Sequence, residues 1–253
     1  MKMRLALAVA GLALGALLGS AAAQATTYDL SADFGTVNTS GSPWAITYSG
    51  GTLPTQAAVG SNGNHLEPAI PGAYFGTGTN LNQDNPFVVK AGVNGSGAGL
   101  TDGDFLAGDI VLHTANDGTD LKITWTAPTA GMIDNLLFDV WYAHSSVTRS
   151  NDVSFDYTGN PGTPFGWTTS TVVNPDRSGG GQLSGGGVSV AAGDLLTLTF
   201  AKTALQSFGS LTGLNLSFDF TASAVTPIPA TLPLFLGALA GLGWLARRRQ
   251  EAA

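Results

Sequence analysis

The chain has 253 residues, with 10 Lys and Arg against 17 Asp and Glu, and no cysteine. The missing thiol excludes disulfides, zinc-thiolate centres and cysteine nucleophiles together. Over residues 24–226, Lys90, Lys122, Arg149, Arg177 and Lys202 stand against fifteen Asp and Glu67, so 5 minus 16 leaves a net charge of −11, a sign that repels the phosphate backbone and excludes nucleic acid as a partner.

The first element is a leader. Met1, Lys2, Met3 and Arg4 precede an uncharged run from Leu5 to Leu18, after which Gly19, Ser20, Ala21, Ala22 and Ala23 bring the chain to polar sequence. These are the basic, apolar and small-residue regions of a secretory signal. A helix of about 14 residues rises only ~21 Å, short of the ~30 Å hydrocarbon core of a bilayer. Residues 1–23 therefore read as a cleavable signal helix handed to the secretion translocase rather than as an anchor. Ala21 and Ala23 mark the cut, with a cut after Ala25 as the second choice.

Residues 24–224 form the body, and its pattern is that of strands. Apolar residues recur with period two in short runs bounded by Gly, Asn, Asp and Pro. In chain order the runs are Ile110–Leu112, Leu121–Trp125, Leu137–Tyr142, Val153–Tyr157, Leu196–Phe200 and Leu214–Phe220. In the last, Leu214, Leu216, Phe218 and Phe220 alternate with Asn215, Ser217 and Asp219, so one face is core and the other is wet. Ser178–Gly187, with six glycines in ten residues, reads as a mobile loop. It lacks the Lys-Ser/Thr pair of a phosphate loop. Long helical patterns are missing. The expectation is all-β, an antiparallel β-sandwich of jelly-roll-like form, with a β-helix as rival. No fixed-period repeat supports a solenoid or propeller.

Candidate chemistry in the body is sparse. Glycoside hydrolysis calls for two converging carboxylates, but the body has Glu67 alone besides aspartates set among turn residues. His65, His113 and His144 are scattered, and no pair has the spacing of a zinc site. No cofactor is expected, and the histidines read as packed or surface imidazoles. Calcium is the better metal candidate, through Asp102, Asp104 and Asp109 or Asn116, Asp117 and Asp120; neither group fits a twelve-residue calcium loop, and solvated turns account for both. Glycan binding on a β-sandwich uses exposed aromatic faces. Trp167, Trp44 and Tyr74 are the leading platforms, with Tyr48, Trp141 and Tyr142 behind them.

The tail, residues 225–249, divides into three parts, and 250–253 follow it. Pro227-Ile228-Pro229-Ala230 is held extended by its prolines, as a protease requires of a substrate. Thr231 to Ala246 carries no charge and reads as a transmembrane helix, closed by Arg247, Arg248 and Arg249 on the cytoplasmic side of the inner membrane. This order resembles the PEP-CTERM sorting signals, and within them the Val-Pro-Leu-Pro-Ala variant, with Thr226 for Val and Ile228 for Leu. In that family an exosortase, a membrane transpeptidase, recognises the proline motif and releases the body to the surface or the exopolysaccharide matrix. The resemblance implies export across the inner membrane of a Gram-negative-type bacterium, transient anchoring, and then a cell-surface or extracellular place.

The body also resembles a set of bacterial secreted β-sandwich domains carried by proteins with such tails. The matching pieces are Asp33-Phe34, Pro43-Trp44 with Tyr48, Val111-Leu112-His113, the run from Trp125 to Gly131, and Gly193-Asp194. The opening departs from that set, since Asn38-Thr39-Ser40-Gly41-Ser42-Pro43-Trp44 replaces its Asn-Pro-Asn-Gly-x-Trp pattern. Together the readings give a non-enzymatic surface or matrix protein associated with exopolysaccharide. The alternative is a secreted Asp-based glycoside hydrolase.

Overall fold

In the computed structural model the period-two runs become strands of two facing sheets. The structure describes residues 24–55, 74–77, 86–92, 105–143, 149–159, 169–172 and 181–223, with 237–239, 247 and 250 in the tail. The elements in chain order are β1 (Ala25–Asp29), a single helical turn α1 (Leu30–Asp33) running into a 3-10 turn (Phe34–Thr36), β2 (Trp44–Tyr48), β3 (Gly51–Thr52), β4 (Tyr74–Gly76), β5 (Phe87–Lys90) and β6 (Ile110–His113). They continue with β7 (Leu121–Thr126), β8 (Gly131–Tyr142), β9 (Asn151–Tyr157), β10 (Thr169–Val172), β11 (Gly181–Gly185), β12 (Val188–Val190), β13 (Leu195–Lys202) and β14 (Leu211–Ala222).

One sheet has eight strands, in the order β11-β8-β14-β6-β5-β4, with β1 also on β14 and β12 also on β8; the other has six, β10-β9-β13-β7-β2-β3. The strand pairs are antiparallel, so the body is an antiparallel β-sandwich. Strands β6 to β9 alternate between the sheets, and so do β12 to β14. Inward residues of both sheets make one core. Ile123, Trp125, Leu198 and Phe155 meet Phe138, Leu214, Phe218 and Phe220 there. Trp125 lies edge-on to Phe218, Phe220 and Tyr28, at centroid separations of 5.0, 5.5 and 5.2 Å. Each such pairing adds about 0.5–1.5 kcal/mol beyond area burial.

The eight-stranded sheet is also covered in part on its outer face. Phe87, Val89, Val111, Trp141 and Leu211 pack there with Phe105. This explains why β5 and β6 read as unbroken apolar runs: a strand buried on both faces loses its alternation.

Two expectations need correction. The glycine-rich run is strand in part, because Gly181–Gly185 pairs with Leu136–Val140 of β8 and the ladder supplies the order that composition alone denies. Beyond it, Gly186 passes so near Asp134 that an added Cβ would lie 3.1 Å from its carboxylate oxygen. Strand β8 also starts six residues before the predicted Leu137, and its register against β14 shifts between Ser217 and Asp219. Asn135 takes φ +51 at this bulge, so the apolar phase changes between Ile133 and Leu136.

First and last strands are neighbours. Ala25 faces Thr221 and Asp29 faces Ser217, so the body's chain begins at Gln24 and ends at Ala222 at one end of the sandwich. The other end of β14 pairs Leu211 with His113. There the β6–β7 and β13–β14 connections gather, together with the β2–β3 turn, since Tyr48 and Phe200 both face Leu121. Twelve residues of β14, eleven rises at ~3.3 Å each, separate the two ends by about 36 Å.

The signal, residues 1–23, and the sorting motif, Pro227 to Ala230, lie outside the described residues. Of the apolar tail run, residues 237–239 are described and are helical. Among the described residues no helix is long and apolar enough to cross a membrane.

Candidate binding site

Strand alternation decides the fate of the aromatic candidates. Trp44 occupies an inward position of β2 and is 2 % exposed, with its indole N–H donating to the Asp33 carboxylate at 2.9 Å. It is therefore a core residue and not a glycan platform. Trp141 and Tyr142 are buried too, the first in the outer-face cluster and the second accepting from the Arg149 N–H at 3.2 Å. Tyr74 belongs to β4, but its side chain is outside the description, and Trp167 lies outside the described residues.

The carboxylates are held by their own turns. Asp109 is buried and accepts from the Leu106 N–H at 2.6 Å, which closes the turn before β6. Asp102 and Asp104 lie outside the described residues. In the second group Asn116 accepts from the Gly209 N–H, while Asp117 accepts from Thr119 N–H at 2.9 Å and from the Tyr48 hydroxyl at 3.0 Å. Among the described residues no three His, Asp or Glu side chains come together as a metal site. His113 is a packed imidazole, 1 % exposed and stacked on Phe87; His65 and His144 are outside the described residues.

What does converge is a set of polar side chains of which the sequence analysis singled out Asp120 alone. Thr47, Ser49 and Gly50 from the β2–β3 hairpin, with Thr119, Asp120 and Lys122 at the start of β7, line a cleft of about 220 Å³. Three local causes build it. Thr47 and Lys122 are register partners on the outer face, because Ile46, Tyr48, Leu121 and Ile123 take the inner one. Ser49 (φ 51) and Gly50 (φ +76) form a two-residue turn with both φ positive, the type I′ geometry that matches strand twist. Asp117-Gly118, with Gly118 at φ +81, turns the chain into β7.

The loop is pinned by Tyr48. Burial, and then its bond to Asp117, hold the Tyr48 hydroxyl protonated above the usual tyrosine range. The Thr119 N–H, helped by Tyr48, keeps the Asp117 carboxyl below the usual carboxylate range. Within the cleft the Lys122 ammonium stands 3.7 Å from Asp120, with both side chains nearly half exposed. The lining offers hydroxyls that donate and accept, a carboxylate that accepts and an ammonium that donates. This is equipment for holding a polar ligand. The sequence signals were present but faint: outward phase for Lys122 in the run Leu121–Thr126, and Ser-Gly and Asp-Gly turns beside it.

No family model matches this chain, and no curated protein does. Solved structures with some likeness include the module TmCBM61 in complex with β-1,4-galactotriose, at 9 % identity and TM-score 0.33, covering 71 % of this chain and 89 % of that one. Another is the CBM35 module from Cellvibrio japonicus Abf62, at 14 % identity and TM-score 0.26, with 44 % and 76 % covered. A third is the Xyl-CBM35 module in complex with a glucuronic acid containing disaccharide, at 14 % and 0.24, with 42 % and 72 % covered.

Proposed function

We propose that the chain is an exported, exosortase-processed surface or matrix protein whose β-sandwich body is non-enzymatic and associates with exopolysaccharide. The observation that carries this reading is the order of the last segment: Pro227-Ile228-Pro229-Ala230, an uncharged run to Ala246, then Arg247, Arg248 and Arg249. Together with the leader over residues 1–23, it brackets a body of net charge −11, which suits a soluble, extracytoplasmic place. Four residues separate Ala222, the end of β14, from Pro227, so the motif follows the folded body closely. Asp109, Asp117, Asp194 and Asp219 are each hydrogen-bonded into turns or across strands, and these four carboxylates in structural roles favour binding over hydrolysis.

Cell fractionation tests the sorting. Pro227→Ala with Pro229→Ala should leave the body in the inner membrane, while the native chain reaches the surface or medium. Normal release of the double variant would defeat this reading. Retention of the protein on immobilised exopolysaccharide tests the association.

A further inference from the structure

We propose that the cleft between the β2–β3 turn and the start of β7 binds one uncharged sugar ring of a polysaccharide, through adjacent hydroxyl groups. This assignment rests on the reading of the body as polysaccharide-associated, and adds to it a place and a ligand class.

Size argues for a single ring. About 220 Å³ lies below the roughly 300 to 1,000 Å³ of sites that enclose drug-sized ligands, so the cleft takes a ring and not an extended oligosaccharide. The chemistry argues for hydroxyls. Neighbouring hydroxyls on a ring present donors and acceptors side by side, and Thr47, Ser49, Asp120 and Lys122 present the complement. The Lys122–Asp120 separation of 3.7 Å exceeds the roughly 2.7–3.2 Å of a hydrogen bond. An exposed pair of this kind contributes little to stability, so a ring hydroxyl that bridges its two members gives up little.

Charge argues for a neutral ring. Of the body's described cations, Lys90 donates to the Ser31 carbonyl, Lys202 to the Gln206 carbonyl, and Arg149 to the Gly209 carbonyl while lying over Phe208. Lys122 faces the cleft beside Asp120, and the body as a whole carries −11, a field that repels an acidic polymer at range.

The setting is prearranged. The Tyr48 hydroxyl and the Thr119 N–H, both donating to Asp117, hold one wall, and the two-residue turn holds the other, so little ordering remains to oppose binding. The cleft lies at the end of the body away from Gln24 and Ala222.

A single ring binds weakly, so the test uses polymers that present many copies. Full-length protein in detergent would be passed over immobilised neutral polysaccharides (galactan, glucan and mannan) and over polygalacturonate. The native chain should be retained on at least one neutral polymer, with retention little changed between about 50 and 500 mM NaCl. Lys122→Ala and Asp120→Asn should each cut it about tenfold, the scale of one charge-assisted hydrogen bond, with melting temperature unchanged. Undiminished retention of both variants on the neutral polymer would overturn this site and leave the association standing. Retention on polygalacturonate alone, falling with salt, would overturn the neutral class. Failure of the native chain to bind any polymer, native exopolysaccharide included, would remove the association and this site with it.

Discussion

The hydroxyl of Tyr157 on β9 shares its proton between the Asp194 carboxylate at 2.8 Å and the Ser189 carbonyl at 2.9 Å. Asp194 also accepts from the Ala191 N–H at 2.7 Å, so one tyrosine ties β9 to the turn that leads from β12 into β13. That turn needs Gly193 at φ +84, and it is bonded in turn to Ala127 beyond the end of β7. Tyr157→Phe keeps the ring and removes the tie. The expected cost is about 1–3 kcal/mol, read as a lower urea midpoint with unchanged slope.

The same pair sets an alkaline limit. Burial first, and then the Asp194 carboxylate, push the Tyr157 hydroxyl up to about 12 from its ordinary 10. The folded state thus favours the protonated form, and its advantage is complete below the unfolded value and lost as pH rises from about 10 to 12. Unfolding measured at steps across that window should show the native chain losing stability relative to Tyr157→Phe. A constant difference between the two would contradict it.

The fold was legible where one face is wet. Strands β7, β9 and β13 alternate cleanly, as does β14 from Leu214 to Phe220, and each lies where its pattern predicts. Legibility failed where a strand has no polar face, as in β5, or where the phase breaks, as at Asn135. It failed again in β11, whose order comes from pairing with β8 and not from its own residues. The site was harder still. An aromatic such as Trp44 suggests a platform by type, yet its place is set by alternation and by Asp33, eleven residues away, which answers its N–H. Lys122 and Ser49 became a site only when antiparallel pairing of β2 with β7 brought two ordinary turns together.

Gly213 and Trp141 make a sharper test of packing. These residues are paired across β14 and β8, and a Cβ on Gly213 would fall 2.2 Å from the indole ring. Gly213→Ala should therefore cost at least the 1–3 kcal/mol typical of overpacking, since Trp141 is fully buried among Phe87, Val89 and Phe105. In a Trp141→Leu background the same alanine should cost much less. Equal costs in the two backgrounds would show that the clash is relieved elsewhere.

Asn151 closes the sandwich at the end that carries the cleft. It belongs to β9 in the six-stranded sheet, yet its side chain reaches the other: Nδ2 donates to the Ser210 carbonyl at 2.9 Å and to the Thr212 hydroxyl at 2.6 Å, while Oδ1 accepts from the Thr114 hydroxyl at 2.6 Å. The Thr114 hydroxyl in turn accepts from the Ser210 N–H at 3.1 Å, and Asn151 and Thr114 are wholly buried. A buried network of this kind costs most when half dismantled, because each abandoned partner keeps its desolvation penalty. Asn151→Ala should lower stability by roughly 2–4 kcal/mol. Asn151→Asp, equal in size, cannot donate to Ser210 and Thr212 when ionised, and should recover stability as pH falls and the carboxyl takes up a proton. Thermal melts of the three proteins from neutral to acidic pH decide the matter: a pH-independent deficit in Asn151→Asp would show that the amide's donors are dispensable to the join between the sheets.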